Sequence, residues 1–250
     1  MKIEQFDEFI QKDLAWRKLE ISQLFMILNT TENKEVVTKS IVLLLYAHWE
    51  GFLKKSFKYY LKYVIEKKVK IKNLTVNFKA IVLKNYASEC IDKDSLNLAK
   101  ELQLIKKQEK LDSKNFKVKI NVDDDLDTDI INTHHNLTSK VLKNICEIIG
   151  VEFNSSMKSR STYIDTVLLH QRNTIGHAGK MAKGSGSPRD ELTFDEVVTL
   201  KNFVVTMLDY CAAVLQDYVE NEFYLKANES ERDKYEERKE QELSNLLSSI

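Results

Sequence analysis

The stretch VVTKSIVLLLYAHWEGF (residues 36–52) decides the fold. It is apolar on nearly every side of a helix, which is typical of a helix buried in a protein core. The chain around it is poor in helix breakers, with 6 glycines and 1 proline among 250 residues. Hydrophobic residues make up 43% of the chain, so it can bury a sizeable core. The sequence therefore predicts an all-α protein.

Apolar residues at three- and four-residue spacing predict three long helices. The first covers residues 3–29, and the second, which contains the opening stretch, covers 35–69. The third covers 194–225 and begins at a capping box formed by Thr193 and Glu196.

Shorter helices are expected between the long ones. They lie in NFKAIVLKNYASEC, DSLNLAKELQLIKKQ and SKVLKNICEIIG, and Gly150 is expected to end the last of them. The alternating FKVKINV at 116–122 leaves a short strand or an extended loop open. We interpret residues 1–225 as one bundle of four to five long helices, with 72–136 as a mixed insertion between its halves. Residues 226–250 are expected to form a solvated, charged helical tail.

Charge and cysteine content narrow the classes of function. Lys and Arg number 38 and Asp and Glu number 38, so the whole molecule gives no electrostatic case for nucleic acid. Locally, eight lysines lie within residues 54–72. The 3 cysteines are far apart and form no CxxC pair, which fits a reducing cytosol. Neither a signal peptide nor a membrane span is expected, because the longest apolar run, SIVLLLYAHW, is too short.

A second stretch, HQRNTIGHAGK at residues 170–180, carries the chemistry. On a helix Asn173 and His177 stack about 40° apart, and the long side chain of Arg172 can reach the same cleft. Gly176 removes a side chain beside the histidine, so a phosphate or another helix can approach closely. Arginine offers a planar fork for phosphate oxygens, and histidine can transfer a proton near neutral pH.

This arrangement suits cleavage of RNA, because RNA supplies its own nucleophile, the 2′-OH. One histidine cannot easily make both proton transfers on opposite sides of the phosphorus. Two copies of the chain, facing each other across a two-fold axis, can supply two histidines.

Arg172-Asn-x-x-x-His177 resembles the R-x4-6-H motif of the HEPN superfamily. YAHWEGFLK, residues 46–54, looks like the early core helix of a branch of small prokaryotic HEPN proteins. The two segments carry the resemblance over roughly residues 1–70 and 137–225, and the middle is unmatched. The chain departs from many relatives in the order Gly176-His177-Ala178, where they have Ala before the histidine and Gly after it.

The resemblance implies a homodimer that joins through the motif helices and acts as a metal-independent endoribonuclease without a cofactor. Such proteins are often toxins or antiviral effectors, so an antitoxin or activating partner is expected. By this resemblance Arg172 neutralises the scissile phosphate, His177 transfers protons and Asn173 orients the pair. Glu50, Tyr46 and Lys180 are expected to support them.

Several plainer interpretations remain open. Arg172 and His177 are also typical of a helix C-terminus, where cations meet the negative end of the dipole. If that plainer interpretation holds, the chain is a non-cleaving helical module for dimerisation or partner binding. Tyr46 shares a core face with Trp49, and Glu50 is equally suited to a structural ion pair.

The remaining charged clusters give weaker signals. The lysine run is either a solvated face or an RNA track, whose candidate residues are Lys54, Lys55, Lys58 and Lys62. His134 and His135 lack the spacing of a metal site. The aspartates at 123–129 start like a calcium loop but lack its later Gly and Glu. His48 is expected to pack rather than to bind a ligand, and no metal site is predicted.

Overall fold

The computed structural model describes residues 1–90, 98–123, 130–178 and 192–250. The helices are α1 (Ile3–Thr30), α2 (Lys34–Glu66), α3 (Val76–Cys90), α4 (Ala99–Asp112), α5 (Ser139–Ile149), α6 (Ser155–Ser159), α7 (Ser161–Tyr163), α8 (His170–Ala178), α9 (Phe194–Glu220) and α10 (Glu229–Ser248). A π-helical segment, Ile164–Leu169, joins α7 to α8. The described ranges contain no β-strand, so the all-α prediction is confirmed.

The core is built by the three long helices α1, α2 and α9, which pack against one another. One face of helix α1 packs into the core. Phe6 and Ile10, which lie four residues apart on this face, are fully buried. Helix α2 is buried on several sides, and Trp49 and Phe52 are both 0% exposed. Helices α2 and α9 are long and apolar enough to cross a membrane. Both helices are apolar because they pack against each other and against α1. Neither is a clear membrane span.

Local capping chemistry places two helix ends where the sequence predicts them. The Thr193 backbone N–H donates to Glu196 Oε2 at 2.7 Å, and the Glu196 N–H donates to Thr193 Oγ1 at 3.3 Å, which confirms the capping box of α9. Gly150 ends α5 with φ of 77°, and its N–H donates to the Cys146 carbonyl at 2.9 Å. Helix α9 ends at Glu220 rather than near Leu225, because the chain turns there and the Phe223 N–H returns to the Tyr218 carbonyl.

The described parts of 72–136 share the core of the bundle. Phe78 of α3 packs edge-on against Phe116 with ring centroids 5.0 Å apart, and both are buried. Asn77 Nδ2 donates to the Ile148 carbonyl of α5 at 2.9 Å. The segment 116–121 forms no strand, so the strand alternative that its alternating pattern left open is wrong.

The charged segment at the C-terminus is a helix, as expected, but it is not solvated all round. Tyr235, Leu243 and Leu247 of α10 are buried, because this helix packs against α6 and α9. The Tyr218 hydroxyl of α9 donates to Glu236. The expectation of a solvated tail is therefore wrong for this face of α10.

Candidate functional site

Helix α8 presents the motif by burying one side and exposing the other. Gln171 and Ile175, four residues apart, are 5% and 7% exposed and hold the helix on the core. Arg172 and Asn173 are half-buried beside them, and His177 at the end of the helix is exposed. The motif residues therefore lie between the core and the surface.

The π-helical segment Ile164–Leu169 leads directly into α8. Such segments insert an extra residue in a turn and occur often at functional sites. Asp165 within it accepts hydrogen bonds from the Ser139 N–H at 2.8 Å and the Ser139 Oγ at 2.6 Å. A carboxylate at the first turn of α5 is also favoured by the helix dipole. Asp165 therefore ties the segment before the motif to α5, a role that the sequence did not reveal.

The Arg172 guanidinium is held by three neutral groups. Its carbon lies 4.8 Å from the centroid of the Tyr46 ring, a cation–π contact. Its Nη1 donates to Asn173 Oδ1 at 2.7 Å and to Asn136 Oδ1 at 3.2 Å. The structure thus brings together Arg172, Asn173 and Tyr46, which the sequence singled out, and adds Asn136.

Among the described residues, Glu50 lies beside Tyr46 and forms no ion pair with Arg172. The Tyr46 hydroxyl lies close to the Glu50 carboxylate and accepts the Leu137 N–H at 2.7 Å. Burial, together with the Glu50 carboxylate, raises the pKa of Tyr46 well above its ordinary value, so the phenol stays neutral. Glu50 also accepts a hydrogen bond from Thr133 Oγ1. Glu50 therefore ties α2 to Thr133, four residues before the Leu137 whose N–H donates to Tyr46.

The loop Asn132–Leu137 also contacts the residues around Arg172. Its Asn136 N–H donates to the Thr133 carbonyl at 2.9 Å, and Thr133 is 1% exposed. His134 and His135 are exposed and have φ of 50° and 63°, a conformation that is uncommon outside glycine. Among the described residues no group of three His, Cys, Asp or Glu side chains could hold a metal ion.

His177 and Gly176 face open space. In the part of the chain that the structure describes, a Cβ added at Gly176 would meet no atom within 4 Å. Hydrogen bonds and ion pairs within the described ranges do not involve His177, which is exposed. Lys180 lies outside the described residues. One copy of the chain therefore orders Arg172 but leaves His177 at the surface.

Comparison with known proteins identifies the family of this chain. Residues 6–224 match the MAE_28990-like HEPN family. The chain belongs to the HEPN superfamily. The matched range runs through 72–136, which the two sequence segments had left unmatched. No curated protein and no solved structure matches the chain significantly.

The lysine run of this HEPN chain divides into different environments. Lys54 and Lys55 are half-buried and line a pocket of about 260 Å³, together with Arg17 and Lys58. Lys58 is only 1% exposed, and its Nζ donates to the Asn121 carbonyl at 3.3 Å, so it does not belong to an open basic face. Lys62 is exposed and does not line this pocket.

His48 packs in the HEPN core, as the sequence indicated. It is 2% exposed, its Nε2 lies 3.0 Å from Glu20 Oε2, and its ring meets Trp16 edge-on at 5.3 Å. Burial first, and then the charge of Arg17, lower the pKa of His48. The side chain is a structural group on the opposite face of α2 from the motif network.

Proposed function

We propose that this HEPN protein is a metal-independent endoribonuclease whose site is centred on Arg172 and His177. The observation that supports it most is the way in which Arg172 is held. Its described partners are an aromatic ring and two amide oxygens, so they fix the guanidinium without neutralising it. A positioned and unneutralised arginine is what binding of a phosphate anion requires.

The reaction follows from these groups and from the substrate. The 2′-OH attacks the adjacent phosphorus as a base removes its proton, and the bond from phosphorus to the 5′ oxygen breaks. The leaving oxygen takes a proton, which gives a 2′,3′-cyclic phosphate and a 5′-OH. Arg172 stabilises the charge on the phosphate oxygens, while Asn173 holds the guanidinium. His177 of one copy of the chain removes the proton of the 2′-OH, and His177 of a second copy protonates the leaving oxygen.

Homodimerisation through α8 would supply the second histidine. Exposed His177 and the open space at Gly176 leave room for a partner helix. A Gly176→Leu substitution should leave the fold of one chain intact, because a Cβ at this position meets no atom within 4 Å in the described structure, yet it should block close approach of a second α8. Sedimentation is expected to show wild type and Gly176→Ala at twice the 29.1 kDa chain mass, and Gly176→Leu as a monomer. A Gly176→Leu dimer would place the interface elsewhere.

Cleavage tests the catalytic proposal directly. Purified wild type and His177→Ala are incubated with total RNA in EDTA, and fragment ends are analysed. His170→Ala is the matched control, because His170 is an exposed histidine on the same helix. We expect cyclic phosphate ends from wild type and His170→Ala only. If all three proteins are folded dimers and none cuts, the alternative is favoured: a non-catalytic module for dimerisation or partner binding.

We also propose a cytoplasmic role as a toxin or antiviral effector that is controlled by an antitoxin or an activating partner. A cell that contains an uncontrolled ribonuclease stops growing. Expression of wild type alone should therefore arrest growth, unless activation is needed, while His177→Ala should not. Purification of an active enzyme from cells that grow normally would contradict the need for a controlling partner.

A further inference from the structure

The loop Asn132–Leu137 contains an exposed turn whose two central residues are both histidines. The Asn136 N–H donates to the Thr133 carbonyl at 2.9 Å and closes the turn. His134 and His135 between them have positive φ, at 50° and 63°, which is the pattern of a type I′ turn. Such turns favour Asn followed by Gly, because residues with a larger side chain seldom adopt this backbone conformation. The two histidines are therefore not the residues that would make this turn most stable.

Buried residues hold the turn in place on both sides. Thr133 is buried, and its Oγ1 donates to Glu50 of α2. On the other side Leu137 is buried, and its N–H donates to the Tyr46 hydroxyl at 2.7 Å. An unfavourable backbone conformation persists only where the surrounding structure holds it, and such conformations are frequent at functional sites. The loop therefore presents its histidines at a fixed place on the surface.

The turn is also attached to the arginine that is proposed to bind the scissile phosphate. Asn136, which closes the turn, accepts a hydrogen bond from Arg172 Nη1 at 3.2 Å. His134 precedes Asn136 by two residues, which span at most about 7 Å of chain. Consecutive nucleotides of a stacked strand advance by about 3.4 Å, so this distance is about two nucleotide steps. A strand whose phosphate lies at Arg172 therefore has its neighbouring nucleotides within reach of His134.

The His134 side chain is available to a ligand. It is exposed, and within the described ranges its imidazole forms no hydrogen bond, ion pair or ring contact. An imidazole offers a flat aromatic face on which an unpaired base of RNA can stack. Bases inside a duplex cannot use this face, because neighbouring base pairs already cover them. The chemistry of this group therefore favours single-stranded RNA.

We propose that the ring of His134 stacks on an unpaired base beside the scissile phosphate, so that the site takes single-stranded RNA. The proposal rests on the proposed ribonuclease function for its ligand, but it can be tested without cleavage. The probe is a fluorescent 2′-O-methyl RNA oligonucleotide, which lacks the attacking hydroxyl. Its binding to the full chain is followed by anisotropy, both as a single strand and annealed to its complement.

The decisive variant is His134→Asn, which removes the ring and introduces the residue preferred at the first central position of a type I′ turn. We expect it to be at least as stable as wild type in thermal unfolding. It should bind the single strand about fivefold or more weakly, the lower limit for the loss of one stacked base. The duplex should bind more weakly than the single strand, and equally to wild type and His134→Asn.

Two further variants separate the ring from other effects of the histidine. His134→Phe keeps a flat aromatic face, so it should bind the single strand within about twofold of wild type. His170→Ala is the matched control, because it removes an exposed histidine from α8, and it should leave binding unchanged. Thermal unfolding checks that both variants are folded.

Several results would overturn the stacking contact. One is equal binding of the single strand by wild type and His134→Asn. Another is equal weakening by folded His134→Phe, because the charge or the hydrogen bonds of the imidazole would then explain the loss. Equal weakening by His135→Gly, which introduces the residue preferred at the second central position, would assign the effect to the whole turn and not to the His134 ring.

The same measurements keep this contact distinct from the ribonuclease function. If wild type cleaves RNA but binds the duplex as tightly as the single strand, the ribonuclease function stands and the assignment of single-stranded RNA fails. If His134→Asn weakens binding of the single strand as expected but wild type never cleaves RNA, the stacking contact stands and the ribonuclease function fails.

Discussion

Tyr46 serves Arg172 through its ring and the loop Asn132–Leu137 through its hydroxyl, and two substitutions separate these roles. Tyr46→Phe keeps the ring, whose centroid lies 4.8 Å from the guanidinium carbon. It removes the acceptor of the Leu137 N–H, a buried donor, at a cost of about 1–3 kcal/mol in the free energy of unfolding. For a chain of this size each 1 kcal/mol lowers Tm by about 2–4 °C.

Tyr46→Leu removes the ring as well. The lost cation–π contact costs about 0.5–2 kcal/mol, which corresponds to roughly 2- to 30-fold in rate if the guanidinium must be held for the transition state. We therefore expect Tyr46→Phe to be less stable than wild type but nearly as active while folded. Tyr46→Leu should be both less stable and less active.

The assay compares RNA cleavage in EDTA with urea unfolding at one temperature, below the Tm of every variant. Tyr60→Phe is the control, because Tyr60 is 0% exposed and its hydroxyl has no hydrogen-bond partner among the described residues. Its loss should cost little stability. Equal activity of the folded Phe and Leu variants of Tyr46 would refute the role of the ring. A folded but inactive Tyr46→Phe would transfer that role to the hydroxyl and the loop.

Three further predictions concern stability. Gly150→Ala should destabilise the chain by more than about 1 kcal/mol in urea, because φ is 77° and the new Cβ would lie 2.8 Å from Asn77 Oδ1; an unchanged midpoint would contradict this. Thr193→Ala should cost about 1 kcal/mol by removing the cap of α9, and Thr193→Ser should restore most of it. The lowered pKa of His48 means that the unfolded chain binds its proton first as pH falls below 6.5. Between pH 7.5 and 5.5 wild type should therefore lose more stability than His48→Gln, and equal losses would rule out this contribution.

Features set by local chemistry were predictable from the sequence. The capping box of α9 and the glycine stop of α5 depend on residues within one helical turn, so their signals are present in the chain itself. The buried character of α2 followed from its apolar residues on all sides. The spacing of Arg172, Asn173 and His177 likewise placed all three on one helix, α8, while their roles in catalysis stay a prediction.

Features set by distant contacts were not predictable in the same way. The π-helical segment Ile164–Leu169 has the apolar spacing of an ordinary helix, and nothing in its residues marks the extra residue in the turn. Asn136 meets Arg172 across 36 positions of sequence, so its role depends on how the loop packs. The charged composition of α10 concealed Leu243 and Leu247, whose four-residue spacing does indicate a buried face.

The two arginines near α2, Arg17 and Arg172, are held by different kinds of group. Arg17 is fixed by the Asp13 carboxylate, so much of its charge is balanced within the chain. Arg172 is fixed by a ring and two amides, while the Glu50 carboxylate lies near Tyr46 and helps to raise the pKa of its hydroxyl. A direct ion pair between Glu50 and Arg172 would hold the guanidinium equally well, but it would cancel the charge that a developing phosphorane needs. Arg172 rests on a neutral ring and not on a carboxylate, so Tyr46 is the residue on α2 whose side chain should matter most for cleavage.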